Sequence, residues 1–100
     1  MVKASIIIPV FNDAKNIGET LTCITEQIDS WEKYEVIVVD NGSTDDTRET
    51  VRRFKQVTLL EEHRYLNSPY SARNRGIEKS SGEIVILLDA TCKPTKDWLK

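Results

Sequence analysis

The sequence predicts an α/β fold: a mostly parallel sheet of four strands, in the order β-α-β-α-β-α-β, with helices on both faces. Three observations lead there. Short β-branched runs alternate with stretches of helical period, which implies parallel strands joined by helical crossovers. The centres of "ASIIIPV", "EVIVVD" and "IVILL" are apolar without alternation, the pattern of strands covered on both faces. The junctions hold Asn, Asp, Gly and Ser, which turn a chain and open a helix.

The elements follow in order. Residues 4–10 form the first strand. Asn12 and Asp13 offer N-cap chemistry to a helix over 14–28, in which Ile17, Leu21, Ile24 and Ile28 share one face. Residues 35–40 form the second strand. In "NGSTDDT", Gly42 suits a positive φ and Ser43 or Thr44 suits a helix cap. The helix over 45–55 turns Val51 and Phe54 inward and leaves Arg48, Glu49, Arg52 and Arg53 in solvent. "VTLLEE", residues 57–62, is a third strand, polar at its ends and so nearer a sheet edge. "HRYLNSP" reads as loop. A third helix over 70–80 gathers Tyr70, Ala72, Gly76 and Ile77 on its less polar side. Arg73 lies in the middle of that side, and Arg75, Glu78 and Lys79 point away. "GEIVILLD", residues 82–89, is the fourth strand and the most hydrophobic, so a central position is expected. "PTKDWLK" starts a further helix.

That last helix bears on domain organisation. Trp98 and Leu99 arrive one turn into it with no C-cap behind them. Residues 1–100 therefore read as a single partial domain, the first half of a larger one. A fourth strand left at the end of a four-stranded sheet would be an open apolar edge, which proteins avoid. Pairing of that edge with a second copy of the chain is the expected remedy.

Composition narrows the function classes. A net charge of −2, from 14 basic and 16 acidic residues, gives no support to a nucleic-acid or anionic-membrane surface. No apolar run approaches the ~20 residues that span a bilayer. "MVKAS" is too short for a secretory leader, so the cytoplasm is the default. Cys23 and Cys92 stand in no metal-binding spacing and read as free thiols of a reducing compartment. His63 is the sole histidine; alone it builds no multi-ligand metal site, and it reads as a surface residue.

In open parallel sheets, ligands bind beyond the carboxyl ends of the strands, where strand order reverses. There the first strand delivers Pro9, Val10, Phe11 and Asn12. The second delivers Asp40, Asn41, Gly42 and Ser43, and the fourth delivers Asp89, Ala90 and Thr91. An aromatic ring can stack a base. One carboxylate can accept from a base N–H or ribose hydroxyls, and another can hold a cation on a diphosphate. Arg73, turned inward near its helix N-terminus, suits a base carbonyl or a phosphate. Asn74 beside it can tie the loop to the strand ends. Each residue also has a plainer role: Phe11 as core, Asp40 as a turn cap, Asp89 and Arg73 as a structural ion pair. Their convergence on one rim favours a nucleotide site.

"SIIIPVFNDAKNIGETL", "EVIVVDNGSTDDT" and "SARNRGIEKSSGEIVILLDATCKPTKDWL" together resemble the N-terminal, nucleotide-sugar-binding half of a family 2 glycosyltransferase, from Ser5 to Leu99. The resemblance implies the GT-A fold, a Rossmann-like three-layer sandwich. It implies an NDP-sugar donor, of which a UDP-sugar is the first choice, and an inverting transfer to an acceptor hydroxyl in polysaccharide or glycoconjugate assembly. A longer protein associated with the membrane from its cytoplasmic side fits that role. The resemblance puts Pro9, Phe11 and Asn12 in the segment against the nucleobase and makes Asp40 a base or ribose ligand. It sets Arg73 and Asn74 beside the donor. Asp89 matches the first acid of the D-x-D motif, next to ribose and the Mg²⁺- or Mn²⁺-bound diphosphate. Thr91 stands where the second acid, the usual metal ligand, is expected. A hydroxyl is a weak neutral donor beside a carboxylate, so the resemblance implies weakened metal binding. Asp97 belongs to the next helix and is not assigned. The general base lies in the later half of such domains, so no catalytic residue is expected within these 100 residues and the chain alone is expected to be inactive.

Other readings compete. A non-catalytic nucleotide-binding remnant or assembly module is favoured by Thr91. A sugar nucleotidyltransferase needs a Gly-rich loop after the first strand, and a dinucleotide fold needs G-x-G-x-x-G there. "PVFNDAKN" provides neither. A phospho-receiver needs an acidic pair at that place, where only Asp13 stands.

Overall fold

The computed structural model describes residues 2–63 and 69–91. The loop expected over 64–68 and the helix expected to carry Trp98 and Leu99 lie outside the described residues, as do Cys92 and Asp97. The elements take the expected order: β1 (Ala4–Val10), α1 (Ala14–Gln27), β2 (Tyr34–Asp40), α2 (Thr47–Arg52), β3 (Thr58–Glu61), α3 (Pro69–Lys79) and β4 (Ile84–Leu87).

The strands form one parallel sheet in the order β3-β2-β1-β4. The register runs from Ala4 against Tyr34 to Val10 against Asp40, so β1 and β2 end at the same rim. On the other flank Ala4 pairs with Ile84 and Ile7 with Leu87. Period-two geometry then divides the core. Ile6, Ile8, Val10, Val36 and Val38 face one side and bury against Ile17, Leu21, Ile24 and Ile28 of the α1 segment and Val51 of α2. Ile7, Ile37 and Val39 face the other side, against Ala72 of α3. This is the expected three-layer sandwich.

Gly76 sets the second interface. A Cβ there would lie 2.5 Å from Cγ2 of Ile7 and 3.2 Å from Cγ2 of Val39. Only glycine lets α3 come so near the sheet. The buried strip of α3 is therefore narrower than expected. Ala72 and Gly76 are buried, whereas Tyr70 and Ile77 stay 75% and 42% exposed. Arg75, expected to point away, is half-buried.

β4 departs from expectation. It lies at the sheet edge, because β1 and β2 occupy the centre with their Ile and Val side chains fully buried. Ile84, Val85 and Leu87 remain 51%, 40% and 49% exposed. The strand is also shorter than expected: Gly82 lies pressed against β1 before it begins, where a Cβ would meet the Ser5 nitrogen at 2.7 Å, and Asp89 turns the chain after it. β3, placed near an edge by its polar ends, does lie at one.

α2 is shorter than 45–55 and starts differently. Thr44 and Ser43 do not cap it. Asp46 is its N-cap residue, without a side-chain cap bond, and Asp45 holds the turn by accepting from the Thr47 N–H and hydroxyl. Its C-terminus closes early, with the N–H groups of Arg53 and Phe54 donating three residues back to Thr50 and Val51. Asp13 likewise occupies the N-cap position of α1, but its carboxylate accepts from the Asn16 side chain instead. Gly42 takes the expected positive φ, of 92°. Among the described residues no helix is long and apolar enough to cross a membrane. Cys23 is a half-buried free thiol and His63 is exposed, as expected.

Candidate functional site

Sheet order reverses between β1 and β4: β2 and β3 succeed β1 on one side, and β4 returns to its other side. That is where an open α/β sheet places its ligand crevice. A cavity of about 230 Å³ sits there, lined by Pro9, Val10, Phe11, Asp13, Asn41, Ala72, Arg73, Asp89, Ala90 and Thr91. Four of the seven expected site residues, Pro9, Phe11, Arg73 and Asp89, converge on it. Asn12, Asp40 and Asn74 do not line it. The volume is below the ~300–1,000 Å³ of a drug-sized pocket, so it suits part of a nucleotide with the rest on the open rim.

Phe11 is 41% exposed at this cavity and is not core. Its backbone is held by Asn12, which has φ 46°, a left-handed value that asparagine tolerates. The Asn12 N–H donates to Oγ of Ser43 at 2.9 Å, and its Oδ1 accepts from the Thr44 N–H at 2.8 Å. The Asp13 N–H donates to Oγ1 of the buried Thr47 at 3.0 Å. Asn12 thus clamps the β1–α1 and β2–α2 loops together rather than entering the cavity.

Asp40 is fully buried at the end of β2. Its Oδ2 accepts from the Ser43 N–H at 2.9 Å, so the turn-holding role is real. Its Oδ1 is buried with no hydrogen-bond partner among the described residues. Buried acceptors without a donor are rare and call for a cause. Arg48, expected in solvent, lies against this carboxylate: Nε is 3.9 Å from Oδ2, and Nη1 donates to Glu61 at 2.8 Å. That bond holds the Glu61 carboxyl below its usual range, helped by the neighbouring His63.

Asp89 follows β4 and forms a tight turn. Its Oδ1 accepts from the Thr91 N–H and the Thr91 hydroxyl, each at 2.9 Å. These bonds, the backbone one first, hold its carboxyl below the usual range, and the field of Arg73 adds to the effect. Arg73 makes no ion pair with Asp89 among the described residues; its guanidinium lies 5.7 Å from the ring centre of Tyr70, one turn back on α3. The turn is anchored from behind. The buried Thr20 of α1 donates its hydroxyl to the Ala90 carbonyl at 2.7 Å.

The arrangement can stack a ring on Phe11, meet an anion with Arg73 and offer Asp89 to a cation or hydroxyls. As a metal site it is thin. One Asp89 oxygen is committed to the turn, and the Thr91 hydroxyl is spent as a donor to it. Among the described residues no three His, Cys, Asp or Glu side chains gather. The signals that sequence reasoning missed are Arg48 and Thr20, both helical residues, whose partners come from the ends of β2 and β3 and from the turn after β4.

Comparison with known proteins agrees with this geometry. The sequence profile described as "Glycosyl transferase family 2" matches residues 5–100. The chain is 46% identical to "Glycosyltransferase AglE" of Haloferax volcanii, over 96% of this chain and 33% of that protein. Among solved structures, the S. aureus TarS 1–349 crystal structure superposes with a TM-score of 0.89 at 28% identity, covering 96% of this chain and 29% of that one. The mannosyltransferase PcManGT from Pyrobaculum calidifontis, in complex with GDP-Man and Mn²⁺, gives 0.85 at 36% identity, covering 95% and 29%. The chain thus spans about a third of the length of these relatives.

Proposed function

This chain belongs to glycosyl transferase family 2, and on that premise we propose that it binds the nucleotide-sugar donor for a glycosyl transfer to an acceptor hydroxyl. One observation carries the reading: Phe11, Arg73 and Asp89, from three separate elements, meet at the cavity where strand order reverses. Phe11 stacks the base, Arg73 meets the diphosphate or a base carbonyl, and Asp89 faces the ribose and a cation. The Oδ1 of Asp40, buried without a hydrogen-bond partner among the described residues, supports a further contact with a donor group, a base N–H or a ribose hydroxyl. Pro9 shapes the floor; Asn12 and Asn74 act on loop geometry around the donor. The transfer inverts the anomeric centre. TarS has been solved with UDP-GlcNAc and PcManGT with GDP-Man, which supports an NDP-sugar and leaves a UDP-sugar as our first choice.

A divalent cation fits only in part. Asp89 offers its second oxygen, and the remaining ligands would be diphosphate and water, as Mg²⁺ tolerates. The cation, when bound, neutralises charge on the leaving diphosphate. We therefore propose weak, donor-dependent Mg²⁺ or Mn²⁺ binding. Thr91 also favours a second reading, a nucleotide-binding module without transfer activity. The free thiol of Cys23 supports a reducing, cytoplasmic location. The apolar, uncharged edge of β4 supports self-association through strand pairing with a second copy. Sedimentation should then show a dimer that Val85→Lys dissociates; a wild-type monomer at millimolar concentration rejects it.

Calorimetric titration with UDP and GDP, with and without Mn²⁺, tests the donor site. Phe11→Ala should weaken binding by about tenfold, the worth of one stacked base. An unchanged affinity in both Phe11→Ala and Arg73→Ala would reject the site.

A further inference from the structure

Arg48 was expected in solvent, yet it is the one cation set between two strand-end carboxylates among the described residues. It is the second residue of α2, and its side chain is 33% exposed. Its Nη1 bonds Glu61 of β3, and its Nε faces Oδ2 of Asp40, the oxygen that already accepts from Ser43. A neutral N–H donor and one cation thus act on the same oxygen of Asp40. The other oxygen is buried with no hydrogen-bond partner among the described residues. A carboxylate free to rotate would exchange its oxygens; one fixed on a single oxygen presents the other as an acceptor in a set direction. A vacant acceptor takes an N–H or O–H. It repels a phosphate oxygen.

We infer that Arg48 is a positioning residue for the donor's nucleoside: bridged to Glu61, it fixes Asp40, the neighbour of the cavity-lining Asn41, so that its buried Oδ1 is kept as the acceptor for a base N–H or ribose hydroxyl of the bound donor, and it takes no part in holding the diphosphate. The inference rests on the donor-binding reading above and assigns the labour within it. Asp89 serves the ribose and the cation and Arg73 the diphosphate or a base carbonyl, whereas Arg48 and Glu61 act on the nucleoside only through Asp40. Lysine is a poor substitute, because a point charge cannot bridge two carboxylates as a planar fork does.

The test compares UDP, GDP and inorganic pyrophosphate on the full chain, by calorimetry. Wild type should bind at least one nucleoside diphosphate more tightly than pyrophosphate. Arg48→Gln should weaken the nucleoside diphosphate by about tenfold, as for one lost hydrogen bond to a charged group, and leave pyrophosphate within about twofold, a change near the noise of RT. Arg48→Lys should recover part of the loss. In an Asp40→Asn background, Arg48→Gln should add nothing. A merely structural arginine would instead weaken both ligands together and do so in either background, which overturns the inference. A nucleoside preference that survives Arg48→Gln overturns it as well, while the donor reading stands. A wild type that binds nucleoside diphosphates no better than pyrophosphate overturns both. Should Arg48→Gln fail to fold, Glu61→Gln removes the same bridge from the other side and must reproduce the selective loss.

Discussion

Replacing Thr20 by Val tests how the cation-side turn is held. The two side chains are nearly isosteric, so packing against the core is kept and the hydroxyl alone is lost. That hydroxyl donates to the Ala90 carbonyl at 2.7 Å, with both residues buried and 70 positions apart in the chain. The carbonyl would be left without its donor in a place water does not reach. Orphaning a buried acceptor costs about 1–3 kcal/mol. With a urea slope of about 1 kcal/mol per M for a chain this small, the unfolding midpoint should fall by about 1–3 M. The assay is urea unfolding followed by circular dichroism, paired with hydrogen exchange at the Thr91 amide, which donates to Asp89 in the same turn. Thr20→Val should speed that exchange more than exchange in β2. An unchanged midpoint with unchanged Thr91 exchange would refute the claim that α1 anchors the turn.

Other outcomes follow from neighbouring geometry. Gly82→Ala forces a Cβ to 2.6–2.8 Å from Ser5 Oγ, Ser5 N and Ala4 C, two of them backbone atoms, and should destabilise by about 1–3 kcal/mol in urea melts. Glu35 gives a pH signature. Burial alone would raise its carboxyl, but hydrogen bonds from the Ser5 hydroxyl and the Ser81 N–H win and hold it below 4.5. The folded state therefore binds the proton less readily than the unfolded one. The stabilisation is complete above that ordinary value and is lost as pH falls through the lowered one. The urea midpoint of Glu35→Gln should lack this acid-side fall, and parallel pH profiles for mutant and wild type would count against the network. Thr91→Asp supplies the missing acid and frees Asp89 Oδ1 from the hydroxyl; Mn²⁺-dependent UDP affinity should rise by about tenfold or more, as expected when an anionic ligand replaces a neutral one.

The fold was legible where local pattern and burial agree. "IIIPV" and "VIVV" are β-branched runs that pair and bury on both faces, and the Ile17, Leu21, Ile24, Ile28 spacing gave α1 its inward stripe. The position of β4 was not legible, because hydrophobicity says a strand wants covering without saying which neighbour covers it. Phe11, Arg73 and Asp89 could be placed together because each follows or faces a strand end at the rim. Arg48 could not. Helical period turns it outward, and only the pairing of β3 beside β2, with Glu61 opposite Asp40, brings Glu61 against it. Thr20 reads as an ordinary helical residue until the Ala90 carbonyl arrives from across the domain. Asn12 resembles a donor-binding residue in sequence, whereas its positive φ and two bonds to the neighbouring loop make it a clamp.

The central claim is that a nucleoside diphosphate occupies the crevice between β1 and β4. Titrating UDP and GDP into ¹⁵N-labelled chain and following every backbone amide tests it most directly. The account predicts shifts at Phe11, Asn41, Gly42, Arg73 and Asp89 to Thr91, with Gly18 and Thr22 on the outer face of α1 unmoved. Silence toward both nucleotides at millimolar concentration, or shifts confined to the α1–α2 face, would contradict it.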